Sequence, residues 1–156
     1  MTPPLDWLSR LLSIITVHGQ LELRCSYGAP WQVVYENSVA GEMPYHVVLR
    51  GSAVLETPDK GLVQQLHAGD IVMFAHGSGH VLHDGSGLPP TPAHIRDGLN
   101  VTFSENTGTS EQLEMLCGRF ILAPLTTALS ATTCLPASLS THRPMTIRTR
   151  PKRLLS

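Results

Sequence analysis

Eight histidines and three cysteines in 156 residues are the side chains with the most chemistry to offer, and metal ligation is the first chemistry to weigh. Imidazole and thiolate are the donors that zinc takes in closed tetrahedral sites. The cysteines stand far apart, at Cys25, Cys117 and Cys134. An odd number so spaced argues against a disulfide framework and for reduced thiols, the side chains most open to oxidation. His18, His67, His94 and His142 fall in turns or loops, where a solvated imidazole is expected. His76 and His83 flank one Gly-rich turn, His76 as a polar group on the turn and His83 with parity opposite to His80. Asp70, after Gly69, suits a backbone-capping role, and Glu56 and Glu114 fall on outward parity. No Gly-rich phosphate loop precedes a helix, and no Ser or Cys nucleophile has a paired base at recognisable spacing.

The elements that must position these groups are mainly extended. From Leu5 to Val17 apolar residues recur at three and four with Asp6 near the start, which predicts an amphipathic helix over 5–17. From His18 the period becomes two, so Leu21, Leu23 and Cys25 share the inward face of a strand. Tyr27-Gly28-Ala29-Pro30 reads as a turn and Trp31 to Tyr35 as the next strand. Tyr45 to Glu56 is apolar and β-branched, broken at Gly51 into two strands; Thr57 to Gly61 is a hairpin turn and Leu62 to Leu66 the returning strand. Leu66 to His83 gives a Gly-Asp turn, a strand, a Gly-rich turn and a short strand, and Asp84 to Pro92 is a loop. Gly98 to Phe103 and Gln112 to Leu122 are the last two strands, with a polar hairpin between them. Eight or nine short strands without alternating helices predict a mostly β chain, an antiparallel barrel or sandwich. Residues 123–156 are Ser/Thr-rich and then Arg-rich, with no sustained period, and read as an irregular tail.

An apolar content of 42% with 15% charged residues fits a folded globular domain at residues 1–122 rather than a disordered chain. A net charge of −1 provides no field that would favour nucleic acid or membrane. No apolar run approaches the roughly 18 to 20 residues of a membrane span, and Asp6 and Arg10 interrupt the first leucines as no secretory signal would allow. Cytoplasm is the expected location.

His46-Val47-Val48-Leu49-Arg50-Gly51, Ala68-Gly69-Asp70-Ile71-Val72 and His76-Gly77-Ser78-Gly79-His80-Val81-Leu82 resemble the two halves of a cupin motif. More narrowly they resemble the ligand-binding cupin domain of AraC-type transcriptional regulators, as do Leu5 to Leu12 and Leu116 to Phe120. The resemblance implies a cupin double-stranded β-helix, jelly-roll-like, and a role in effector recognition coupled to transcription, often with dimerisation. It also implies a helix-turn-helix domain, which nothing after Leu125 resembles. One set of codons that could encode Ala131 to Pro136, read one frame back, gives a peptide closer to the family, so a frame-shifted, truncated regulator is one expectation. Sequence-specific DNA binding by this chain alone is not expected.

His46 and His80 occupy the positions where metal-binding cupins carry ligands. Cupin enzymes add a second His two residues on and a Glu, whereas here that place holds Val48, so a metal-dependent cupin enzyme is the runner-up and no catalytic residue is assigned. With Cys25 and Cys117 on inward rows, the expected set is Cys25, His46, His80 and Cys117 around zinc or another divalent transition metal, structural or sensory. Tyr45, Trp31 and His76 are the candidates for contact with a small-molecule effector. The partners expected are that effector or the metal, and a homodimer or a heterodimer with a full-length regulator.

Overall fold

In a computed structural model of the chain, the residues described are 9–10, 15–123 and 145–148. The strands are β1 (Val17–Ala29), β2 (Gln32–Tyr35), β3 (Glu42–Arg50), β4 (Ser52–Thr57), β5 (Leu62–His67), β6 (Asp70–Met73), β7 (His80–His83), β8 (Ala93–Asp97), β9 (Thr102–Asn106), β10 (Ser110–Leu122) and β11 (Met145–Arg148). They form a seven-stranded sheet in the order β11-β6-β3-β10-β1-β9-β8 and a four-stranded sheet in the order β2-β7-β4-β5. Period-two alternation turns one face of each sheet inward, and Leu55, Leu66 and Leu82 of the smaller sheet meet Val48, Val72, Leu113 and Met115 of the larger in one core.

The chain passes from the larger sheet to the smaller at Gly51. Its φ of 79° lies in the left-handed region, and a Cβ there would stand 2.2 Å from the Gln112 carbonyl oxygen. A residue other than glycine would have to push β10 away. The Thr57 to Gly61 passage is the expected tight turn, a 3-10 turn over Pro58–Lys60 closed by Gly61 N–H donating to the Pro58 carbonyl.

Several expectations change. The helix expected over 5–17 falls mostly on residues outside those described; Ser9 and Arg10 are helical, no α-helix is among the described elements, and Val17 and His18 are strand residues paired with Leu122 and Ile121. Leu21 is exposed rather than inward, because a register shift between Leu21 and Leu23 moves it off the inner row. Tyr27 lies in β1 and is buried, not in a turn. The last two long strands form no hairpin: β9 runs parallel to β1 on one side while β10 runs antiparallel to it on the other. An unexpected strand, β8, pairs with β9 at the sheet edge. Beyond 122, β11 pairs antiparallel with β6; residues 124–144 and 149–156, including the frame-shift segment, lie outside the described residues. Among the described residues no helix is long and apolar enough to cross a membrane.

Candidate functional site

β1, β3 and β10 lie side by side in the larger sheet, and β7 faces them from the smaller. Inward parity on these strands gives Cys25, His46, Cys117 and His80, all buried. The four are in contact. Cys25 Sγ is 3.9 Å from Cys117 Sγ, Cys117 Sγ is 2.9 Å from His46 Nδ1, and His46 Nε2 is 2.7 Å from His80 Nε2. Tyr35, inward on β2, brings its hydroxyl to 3.4 Å from Cys117 Sγ.

Hydrogen-bond logic fixes the protons along this chain. His80 Nδ1 lies 2.9 Å from the Ser78 carbonyl oxygen, which can only accept, so His80 Nδ1 donates. Its Nε2 is then bare and accepts from His46 Nε2–H. That leaves His46 Nδ1 bare, facing the Cys117 thiol as the acceptor of its proton.

Burial governs the electrostatics. It holds the His46 pKa down at about 3, with the neighbouring His80 adding to the shift, so His46 is neutral at ordinary pH. Burial lowers the His80 pKa as well, against the Ser78 bond that favours its charged form. The ring of His80 is layered between Phe74, 3.7 Å between centroids, and Tyr35, 4.8 Å. The two thiols titrate as a pair. Their mutual hydrogen bond makes the first proton easier to lose; that same bond, burial and the adjacent charge push the second well up. Burial likewise raises the Tyr35 hydroxyl, keeping it a donor.

The donor types are those of a closed zinc site, but the arrangement is a row rather than a shell. Across a tetrahedral zinc two sulfurs stand about 3.8 Å apart and two nitrogens about 3.3 Å. The sulfurs match that spacing; the facing nitrogens, at 2.7 Å, do not, and His46 has both ring nitrogens engaged by its neighbours. Among the described residues no three His, Cys, Asp or Glu side chains are grouped to hold a metal ion.

A cavity of about 440 Å³ opens beside Cys117 and His46. Arg119 lies in its wall, held by Glu22 at 2.8 Å and Glu42 at 2.7 Å. None of the three residues expected to contact an effector lines it. Tyr45, next to His46 and so on the opposite face, packs on Phe120 and donates to the Gln20 carbonyl. Trp31 is buried against Tyr27, and His76 is exposed in the turn before β7. Tyr35 and Phe74 were not singled out from sequence. The signal for Tyr35 was the inward row of Trp31, Val33 and Tyr35; that for Phe74 was its place at the end of the β6 alternation, next but one to Val72.

A protein family described as Cupin matches residues 6–144. The HTH-type transcriptional regulator MtrA of Neisseria gonorrhoeae is 31% identical over 118 residues, covering 74% of this chain and 38% of that protein. An uncharacterized HTH-type transcriptional regulator of Haemophilus influenzae is 26% identical over 120 residues, 74% of this chain and 39% of the relative. The RCS-specific HTH-type transcriptional activator RclR of Escherichia coli K12 is 31% identical over 78 residues, 50% of this chain and 27% of its own length. The chain thus spans under two fifths of the length of the relatives matched over the longest stretches.

Proposed function

The chain belongs to the Cupin family, and from that premise we propose that it is the signal-receiving module of an HTH-type transcriptional regulator, of the AraC type by its motifs, with the signal received as oxidation of the Cys25–Cys117 thiol pair. The observation that carries this reading is the setting of Cys117 Sγ: a second thiol at 3.9 Å, a hydroxyl at 3.4 Å and an unprotonated imidazole nitrogen at 2.9 Å, beside a cavity. A thiol hydrogen-bonded to a bare imidazole nitrogen, with a second thiol in reach of its oxidised form, is a sensor's arrangement rather than a structural cysteine's. Regulators as relatives favour sensing over catalysis, and no catalytic residue is assigned.

Zinc on the same four residues is the second reading, favoured by the sulfur spacing and opposed by the spent nitrogens of His46. If it holds, the site serves sensing or structure, having no open position for substrate. The test of the proposal is the unfolding midpoint of the full chain before and after treatment with hydrogen peroxide. Oxidation is expected to shift the midpoint by several degrees in the wild type and to leave the Cys25→Ser, Cys117→Ser double variant unmoved. Equal behaviour of the two would remove the reading.

A further inference from the structure

We propose that the outer edge of β8 is a docking strand for a second copy of this chain, the two β8 strands joining antiparallel about Ile95 so that two seven-stranded sheets become one. This interface is independent of the chemistry of the buried thiols and imidazoles.

Register decides which backbone groups β8 offers. β8 and β9 form a hairpin in which Gly98 N–H donates to the Val101 carbonyl, so Gly98 and Val101 are a hydrogen-bonded pair. Alternation along an antiparallel ladder then makes Arg96–Phe103 and His94–Glu105 the bonded pairs and leaves Ala93, Ile95 and Asp97 in the non-bonded ones. The N–H and carbonyl of those three residues point away from β9. Among the described residues β8 is the last strand of the larger sheet, and every residue in it is exposed.

β8 lacks the features that commonly guard an edge. It holds no proline or lysine, and its pairing with β9 has no register shift. Its arginine is turned back on its own sheet: the Arg96 guanidinium lies 4.3 Å from the centre of the Phe103 ring and 3.5 Å from Glu105. The outer strand of the smaller sheet, β5, is by contrast capped at its end, where His67 N–H donates to Asp70 at 2.9 Å.

Ile95 supplies the apolar content. Paired residues share a face of the sheet, and the partner of Ile95 is Ser104, buried and bonded to Tyr27 at 2.7 Å. Ile95 therefore has inward parity, yet it is 65% exposed, because the smaller sheet stops short of β8.

A two-fold axis through Ile95 meets these conditions. It pairs Ile95 with Ile95 of the second copy and Ala93 with Asp97 of the second copy, so every outward N–H and carbonyl finds a partner. The two isoleucines cover each other on the core side as an apolar cross-strand pair. Asp97 faces the smallest side chain of the strand. On the opposite face His94 stands across from Arg96 of the second copy, whose charge Glu105 already balances. The same edge serves both copies, so assembly closes at two. A five-residue strand makes a small contact, at the low end of interface sizes, so the dimer is concentration-dependent.

The experiment is sedimentation velocity of the full chain from about 1 to 500 μM, expected to show a monomer that converts to a dimer as concentration rises. A monomer throughout, or growth beyond the dimer, overturns the proposal. Ile95→Pro removes only an N–H that points away from β9, so it should keep the wild-type circular dichroism and stay monomeric. Ile95→Lys sets two like charges together on the axis and should weaken the dimer about tenfold. It keeps the backbone donor, and decides the matter if the proline variant does not fold. Wild-type association by a folded Ile95→Pro, or by Ile95→Lys, overturns the proposal. Ile95→Cys tests the register, since the paired Cα atoms would stand about 5.5 Å apart. A short bis-maleimide should join two copies through position 95, giving a covalent dimer that the wild type does not form. A dimer in which position 95 does not cross-link overturns the pairing about Ile95.

Discussion

His46 carries the residue-scale consequence with the clearest sign. Unfolded, its imidazole gains a proton as the pH falls through the ordinary value of 6.5; folded, it stays neutral down to about 3. Across that window the unfolded chain binds the extra proton, so stability is intact above pH 6.5 and declines as the pH drops, by about 1.4 kcal/mol per unit. Urea titrations at pH 6.5 and 5 should therefore differ by about 2 kcal/mol more in the wild type than in His46→Gln. A pH dependence unchanged by the substitution would show that the imidazole is not held neutral. The meeting of Cys25, His46, His80 and Cys117 was legible from strand parity and from the cupin resemblance. Their order in a row was not, because residue type does not say which ring nitrogen faces which neighbour.

At the scale of the elements, the breaks at Gly51 and at Thr57 to Gly61 were read well because their chemistry is local. Gly51 and Gly61 both have positive φ, yet a Cβ at Gly51 would collide with the Gln112 carbonyl while one at Gly61 would meet open space. Gly61→Ala should cost about 1 kcal/mol, and Gly51→Ala more than about 2 kcal/mol, since β10 must also move. Chemical denaturation of the two variants checks the ranking, and equal costs would contradict the packing described. The misread elements depend on pairing instead. β1 runs on through Tyr27 because β10 offers it partners as far as Ala29, and β9 joins β1 in parallel although Ser110 begins the next long strand only a few residues on. Local turn signals around Gly28 and Gly108 could not reveal either choice.

For the whole molecule, stability rests on the apolar layer shared by the two sheets. Leu55 and Leu82 are fully buried there, and replacing either with Ala should cost about 2–5 kcal/mol, measured by urea unfolding. A cost near zero would mean the sheets are not packed as described. Elemental analysis of the chain purified without a His tag bears on the same centre. The row of donors leads us to expect less than about a tenth of an equivalent of zinc, because a metal site held by folding retains its ion through purification. A full equivalent would favour the zinc reading instead.

What the sequence determined by itself was the character of the chain: strands of period two, turns set by glycine and proline, and a set of thiols and imidazoles on inward parity. These depend on φ preferences and on which side a residue faces, and both are written locally. Only the tertiary structure decided that the four donors would stand in a row, that Tyr35 would close over Cys117, and that a cavity would reach one thiol and leave the other sealed. Those outcomes follow from long-range pairing and sheet-on-sheet packing, where each contact depends on segments tens of residues away.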